Sequence, residues 1–160
     1  MKKELVFMPH PGHFICARDC EFFLNTYVNG FIISTVGELF PDAPVREIYA
    51  ESRGIKLEGM GDARRADYRK KVGYEELGYE RKYETMVFLA QKSEHKCCPW
   101  RIVSGRDLEM EGYNDPGEAY RGHMKFCKKY SKKVTPRQSI IKSSKCNNAR
   151  KKKVRNGVQS

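Results

Sequence analysis

The sequence lacks an apolar run long enough to cross a bilayer, because its longest runs, such as residues 30–36, fall far short of the roughly 20 residues that a membrane helix needs. We also expect no secretory signal, since the apolar run that follows Lys2 and Lys3 is only Leu5–Met8 before Pro9. No internal repeat, Ser-His-Asp order, pair of catalytic carboxylates or dinucleotide-binding fingerprint stands out. Six cysteines without an export signal predict a reducing compartment. These absences argue against a membrane partner and do not by themselves name an activity.

Acidic residues are absent from the last thirty positions of the chain. The 160 residues carry a formal net charge of +11, and residues 131–160 contribute ten of those charges, which leaves residues 1–130 nearly neutral at +1. We therefore expect one folded domain over 1–130 and a basic tail over 131–160, which has too few apolar residues to form a core and should be disordered when free. The ten basic residues of the tail are Lys132, Lys133, Arg137, Lys142, Lys145, Arg150, Lys151, Lys152, Lys153 and Arg155.

Two segments give clear strand signals. Residues 22–36 contain two β-branched and aromatic runs joined by Asn29-Gly30, a pair that favours the type I′ turn of a β-hairpin. Residues 83–89 are apolar on both faces apart from Glu84 and Thr85, as is typical of an inner strand. The fold class that we predict is α+β, a single small domain with a mostly antiparallel sheet and about three helices.

Helix starts are predicted at Asp42 and at Asp115, because each aspartate precedes a proline in the position of a first helical turn. A weaker helix is predicted over 62–71, with Asp62 as its N-cap and a strongly basic composition. The last helix should bury one stripe, since its apolar residues recur at helical spacing. That stripe consists of Ala119, His123, Phe126, Cys127 and Tyr130.

One candidate metal site combines the last helix with a loop. His123 and Cys127 are four residues apart, so both side chains point to the same side of a helix. The loop after the 83–89 strand adds Cys97 and Cys98, with His95 as a further ligand type. Two ligands from a strand-end loop and two from a following helix are typical of a structural zinc site, although adjacent cysteines chelate less well than a Cys-x-x-Cys pair. The alternative is that His123 and Cys127 are core residues.

A second cluster lies near the N-terminus and contains His10, His13, Cys16 and Cys20. Its residue types and spacing suit a metal ion, and they also suit Cys–His nucleophilic chemistry. The alternative is that Cys16 and Cys20 border the hairpin and pack beneath it.

Two weaker signals concern charge. The turn Gly59–Arg64 could offer backbone N–H groups to a phosphate, but it lacks the Lys-Ser/Thr of a P-loop and reads more simply as a turn before a capped helix. Glu84 interrupts an apolar strand, and a buried carboxylate there would need a partner, which a nearby arginine could supply.

The basic tail gives the firmest functional expectation. Ten uncompensated positive charges attract phosphate backbones, with an affinity that falls steeply with salt. The tail has no aromatic residue for base stacking and follows no recognition-helix motif, so sequence readout is not indicated. We expect contact with nucleic acid or a ribonucleoprotein, and the alternative is a solubilising charge run.

Several motifs together are similar to those of small proteins encoded in bacteriophages and prophages. The resemblance covers approximately residues 5–130 and leaves out the basic tail. It implies a phage accessory protein acting in the host cytoplasm, and it carries no catalytic role with it. The motifs are Phe31–Glu38, Tyr83–Phe88, Cys97–Trp100, Gly112–Asp115 and Gly122-His123 with Cys127.

We therefore expect a binding protein whose neutral body docks on a host protein or nucleoprotein while its tail contacts nucleic acid. Zinc bound at the first candidate site would stabilise that body. An alternative is a metal- or Cys/His-dependent hydrolase or nucleotide-modifying enzyme centred on His10, His13 and Cys16. A second alternative is a virion or assembly component. The sequence leaves the oligomeric state open.

Overall fold

The computed structural model describes residues 5–8, 18–94, 97–103 and 106–133. This part of the chain forms a mostly antiparallel sheet with three helices, which confirms the α+β prediction. In chain order the elements are β1 (Leu5–Met8), β2 (Cys20–Val28), β3 (Phe31–Leu39), α1 (Ala43–Ser52), α2 (Gly61–Lys71), β4 (Tyr83–Lys92), β5 (Trp100–Ile102), β6 (Glu109–Tyr113) and α3 (Pro116–Tyr130).

The predicted hairpin and its type I′ turn are confirmed. Strands β2 and β3 are antiparallel, with Val28 opposite Phe31 across the turn. Asn29 and Gly30 both have positive φ, at 47° and 90°, which are the angles that a type I′ turn requires. Local turn chemistry therefore fixes the pairing of β2 with β3, each nine residues long.

The sheet has the order β1-β2-β3-β4, and β4 then pairs with two further strands along different parts of its length. β5 pairs with Ala90–Lys92, and β6 pairs with Tyr83–Val87. Every one of these pairings is antiparallel. The sequence analysis missed β6, because its residues Glu-Met-Glu-Gly-Tyr lack the β-branched pattern of a strand.

The sheet is curled, and two aromatic rings meet across its inner face. Tyr27 on β2 and Trp100 on β5 stack with ring centroids 3.9 Å apart and an interplanar angle of 6°. Their strands are separated in the sheet by β3 and β4, whose Ile32 and Ala90 belong to the same apolar cluster. Stacking at this distance brings residues of β2 and β5 into contact across one face of the sheet.

Helix α3 covers the opposite face of the sheet. Its N-cap Asp115 accepts a hydrogen bond from the Glu118 backbone N–H at 2.9 Å, as the capping pattern predicts. The predicted stripe is buried in full, and Phe126, Cys127 and Tyr130 share a core cluster with strand residues that include Val28, Phe31, Ile33 and Val87. Burial of each large apolar side chain contributes roughly 1.5–3 kcal/mol, so this stripe holds α3 on the sheet.

Helices α1 and α2 form a smaller core of their own around Phe40, which lies just beyond β3. Ala50 of α1 and Tyr68 of α2 are its fully buried members. The Asp42 carboxylate caps α1 by accepting from the Val45 N–H. The cap predicted for α2 is wrong in detail, because Met60 occupies the N-cap position and Asp62 lies in the first turn.

Candidate functional site

The centre of the sheet beneath α3 is polar. Thr26, Thr35 and Thr85 lie on three adjacent strands, and each is completely buried. Thr35 and Thr85 are directly opposite one another across β3 and β4. The imidazole of His123, only 1% exposed, packs onto this patch of hydroxyl groups. His123, which the sequence predicted as a candidate metal ligand, therefore lies in the core among buried threonine hydroxyl groups.

Both ring nitrogens of His123 have hydrogen-bond partners. Nε2 lies 2.8 Å from the Thr26 Oγ1, and Nδ1 lies 2.8 Å from the Thr35 Oγ1. The Thr35 hydroxyl also lies 2.7 Å from that of Thr85. A neutral imidazole has one donor and one acceptor nitrogen, and two hydroxyls can satisfy both. The ring is thus fully bonded without a metal ion or a charge.

Burial shifts the titration of both helix residues toward their neutral forms. It lowers the pKa of His123 to about 4. It also raises the pKa of the Cys127 thiol to about 11, against a smaller opposite effect of a hydrogen bond with Thr26. A buried thiol is not the nucleophilic thiolate that cysteine chemistry requires. In this state the pair behaves as satisfied core residues.

The two adjacent cysteines lie in the turn between β4 and β5. Cys98 is 2% exposed and Cys97 is exposed, and burial raises the pKa of the Cys98 thiol to about 11. A hydrogen bond from the Ser93 N–H to the Pro99 carbonyl, at 3.0 Å, closes the turn. The cysteines follow Lys92, the last residue of β4. Thr85, which contacts the Thr35 hydroxyl beside His123, lies seven residues earlier on the same strand. At the usual rise of a strand, seven residues span about 23 Å.

The structure thus brings His123 and Cys127 together but places Cys97 and Cys98 beyond the far end of β4. Within the described residues, no three His, Cys, Asp or Glu side chains are grouped so that they could hold a metal ion. His95 lies outside those residues. The zinc site therefore stays a prediction.

Three members of the second cluster, His10, His13 and Cys16, also lie outside the described residues. Its fourth member, Cys20, is the first residue of β2 and pairs with Leu39. The Cys20 side chain packs with Val36, Leu39 and Leu77 in a small apolar cluster. Cys20 thus packs on the sheet, and the metal and nucleophile hypotheses for this cluster stay predictions.

Glu84 has the arginine partner that its burial requires. The residue is 6% exposed, and its Oε2 lies 3.0 Å from Nη2 and 3.2 Å from Nε of Arg81. Burial raises the pKa of Glu84, and Arg81 opposes that shift. The Arg81 side chain also covers Gly112, where a Cβ atom would come within 2.4 Å of its Cδ. This contact indicates a structural ion pair rather than a catalytic acid.

Three arginines converge on one ring in the small core, an arrangement that the sequence analysis missed. The guanidinium carbons of Arg46, Arg65 and Arg69 lie 4.8, 4.8 and 4.9 Å from the centroid of Phe40. We refer to these three residues as the Phe40 arginine cluster. The basic composition of α2 hinted at it, but Arg46 comes from α1 and Phe40 from the end of β3, so only the tertiary fold joins them.

The carboxylate of Glu21 pairs with two arginines of the Phe40 arginine cluster. Glu21 on β2 accepts hydrogen bonds from Arg65, at 2.8 Å, and from Arg69, and its other oxygen accepts from the Tyr74 hydroxyl at 3.0 Å. Although burial alone raises it, these bonds hold the pKa of Glu21 below its ordinary value. Glu21 therefore remains an anion that ties β2 to α2.

The basic tail leaves the body beside the β2–β3 turn. Lys132 and Lys133 follow the end of α3, and the Lys133 carbonyl accepts a hydrogen bond from the Asn29 side chain. The Lys133 Nζ lies 4.1 Å from the centroid of Tyr130, an attractive cation–π distance. The other eight basic residues of the tail lie outside the described part of the chain.

Comparisons of this chain with protein-family models, curated proteins and solved structures found no match. Among the described residues, no helix is both long enough and apolar enough to cross a membrane.

Proposed function

We propose that this protein is a phage accessory binding protein of the host cytoplasm, whose tail contacts nucleic acid and whose body docks on a host protein or nucleoprotein. The observation that carries the proposal is the separation of charge along the chain. Ten Lys and Arg residues without one acid fall in residues 131–160, while residues 1–130 carry a net charge of only +1. A uniformly basic, solubilising surface would not be divided in this way.

The structure of α3 supports the same division. Lys125 and Lys129 on this helix pair with Glu111 and Glu109 of β6, so the positive charge next to the sheet is neutralised. After Ser131 the sequence offers no further carboxylate as a partner. From Ser131 onward the basic residues therefore have no acidic neighbour in the sequence, on a segment joined to a well-packed body.

The chemistry of the tail favours contact with phosphates over recognition of bases. Each lysine or arginine that neutralises a phosphate releases counterions, which gives affinity without sequence readout. No Phe, Trp or Tyr occurs in residues 131–160, so the tail has no ring on which a base could stack.

An exposed aromatic side chain supports the docking part of the proposal. Tyr79 is 91% exposed at the tip of a turn closed by a hydrogen bond from the Leu77 N–H to the Arg81 carbonyl, at 2.9 Å. Tyr79 and Glu80 both have positive φ, at 54° and 58°, which is costly for residues with a Cβ atom. A strained turn that presents a tyrosine to solvent suits a protein-binding contact.

The test measures binding of the full chain to single-stranded and duplex oligonucleotides by fluorescence anisotropy across a salt series. We expect a loss of about 10³-fold or more in affinity between 50 and 200 mM salt if six or more phosphates are contacted. Replacing all ten basic residues of the tail by Gln should weaken binding and flatten the salt dependence.

The matched control is a full-length chain in which the order of residues 134–160 is shuffled while their composition is kept. Electrostatic contact predicts that this control binds as the wild type does. Equal binding by the glutamine variant and the wild type would show that the tail charges are not used, and the proposal would then fail in its main part.

A further inference from the structure

We propose that the Phe40 arginine cluster on α1 and α2 is a second site for phosphate groups, and that it binds the backbone of the same nucleic acid that the tail contacts. The identity of the ligand as nucleic acid rests on the proposed function, whereas the phosphate site rests on the geometry of Arg46, Arg65 and Arg69.

The three guanidinium groups are close enough to repel one another. Each lies within 4.9 Å of the Phe40 centroid, so no two of them can be further apart than the sum of two such distances. That upper limit is about one Debye length at 0.1 M salt, roughly 10 Å, so the repulsion is only partly screened in solution. An arrangement of this kind persists only where other interactions hold it or where an anion relieves it.

Those other interactions orient the three arginines but neutralise only part of their charge. The electron-rich face of the Phe40 ring attracts each guanidinium, and the Pro41 carbonyl accepts a hydrogen bond from Arg46. Glu21 supplies one negative charge, which it shares between Arg65 and Arg69. Two positive charges of the Phe40 arginine cluster thus remain without a carboxylate.

The surroundings keep that surplus. Asp62 and Lys70 border the same surface depression as Arg65 and Arg69, and their charges cancel. Arg64, the next cation along α2, is paired with Glu47 at 3.1 Å. These four neighbours cancel among themselves, so they leave unchanged the difference in charge between the three arginines and Glu21.

The arginines are also accessible to a ligand. The side chains of Arg65 and Arg69 are 50% and 44% exposed. Together with Lys70 they line a depression of about 400 Å³, and Arg65 also lines, with Arg46, a neighbouring depression of about 250 Å³. Spaces of this size admit a phosphate group, and a planar guanidinium fork matches phosphate oxygens in a bidentate manner.

The central experiment removes two of the three charges and leaves the Arg69–Glu21 pair in place. The full-length variant carries Arg46→Gln and Arg65→Gln, and the matched control carries Lys92→Gln and Lys125→Gln, two exposed lysines of β4 and α3. Both variants lose two positive charges. Their binding to a single-stranded oligonucleotide is measured over a salt series, next to the wild type.

The proposal expects the arginine variant to bind about tenfold more weakly at 0.1 M salt and to lose about 0.7 of salt slope for each phosphate contact removed. The lysine control should keep the wild-type slope. If the two variants bind alike, the arginines act only through net charge and the proposed site is overturned.

A second measurement tests the site without nucleic acid. Inorganic pyrophosphate should raise the melting temperature of the wild type and of the lysine control, because a ligand that binds the folded state stabilises it. It should leave the melting temperature of the arginine variant unchanged. A pyrophosphate shift that needs the arginines, in a wild type that binds no oligonucleotide, supports the site and overturns the proposed function. No shift in any chain overturns the site.

Discussion

His123 is clamped between two threonine hydroxyls, with Nε2 2.8 Å from the Thr26 Oγ1 and Nδ1 2.8 Å from the Thr35 Oγ1. The two threonines belong to neighbouring strands, and the histidine belongs to α3. This contact therefore joins α3 to the sheet through polar groups. Phe126, Cys127 and Tyr130 of the same helix contact the sheet through an apolar cluster. A buried network whose members are all satisfied fixes one arrangement of the helix on the sheet.

The first prediction is a loss of stability in mild acid. Burial lowers the pKa of His123 from an ordinary value of 6.5 to about 4, so below pH 6.5 the unfolded chain binds a proton that the folded chain does not. The free energy of unfolding should fall as the pH is lowered from 6.5 to 4, by roughly 1.4 kcal/mol per unit over most of that range. Urea unfolding followed at several pH values measures this slope.

The control for that experiment is His123→Gln, whose amide can still bond to both threonines but does not titrate. Buried carboxylates also make the protein less stable in acid. One of them is Glu75, whose pKa is lowered mainly by a hydrogen bond from Arg53. This effect is common to the wild type and the variant. The difference between wild type and variant isolates His123. Equal slopes above pH 5 in the two chains would contradict the prediction.

The elements that the sequence predicted correctly are set by local chemistry. Asn29-Gly30 needs only its own backbone angles to make the hairpin turn, and Asp115 caps α3 by reaching the N–H three residues ahead. The buried stripe of α3 follows from helical periodicity. In each case the decisive contacts lie within a few residues of the chain.

The features that the sequence did not predict depend on contacts between distant segments. β6 has acidic residues in place of β-branched ones, and its Glu109 and Glu111 are paired with lysines of α3. Thr26 and Thr35 are ordinary strand residues until the register of β2 and β3 and the position of α3 bring them to one histidine. No short window of sequence contains that information.

The second prediction concerns metal content. In the zinc hypothesis, protein purified without chelator or affinity metal contains about one zinc per chain, and the metal is lost in His123→Ala. A metal at either ring nitrogen would have to displace Thr26 or Thr35 from His123, so metal removal should also change the stability of α3. Elemental analysis of both chains gives the answer. Zinc retained in the variant would point to His10, His13 and Cys16, and its absence from both would leave His123 as a core residue.

The third prediction concerns the contact between Gly122 and Tyr113. A Cβ atom at Gly122 would lie 1.9 Å from the Tyr113 hydroxyl oxygen, so α3 can approach β6 only with a glycine at this position. Replacing glycine by alanine inside a helix ordinarily stabilises a protein by about 1 kcal/mol. Here we expect Gly122→Ala to destabilise it by about 1–3 kcal/mol, as overpacking does.

The sign of the change in urea midpoint distinguishes the two cases. Combining Gly122→Ala with Tyr113→Leu shortens the side chain that blocks the added methyl group, and it should return part of the lost stability. Stabilisation by Gly122→Ala alone, or strictly additive effects in the double variant, would show that the two residues do not oppose each other.

The last prediction is that the Tyr79–Glu80 turn holds strain that two substitutions can remove. Its two central residues have positive φ, at 54° and 58°, in a turn of the kind that elsewhere in this chain is made by Asn29-Gly30. Left-handed backbone costs roughly 1–2 kcal/mol for a residue with a Cβ atom and much less for asparagine or glycine. Tyr79→Asn combined with Glu80→Gly should therefore raise the free energy of unfolding by about 1–2 kcal/mol.

If a protein partner docks on Tyr79, the same variant should bind that partner more weakly while it unfolds at a higher urea concentration. The matched control Tyr79→Ser removes the ring but keeps the left-handed backbone, so it should lose partner binding without the gain in stability. A double variant no more stable than the wild type would mean that the turn carries no strain.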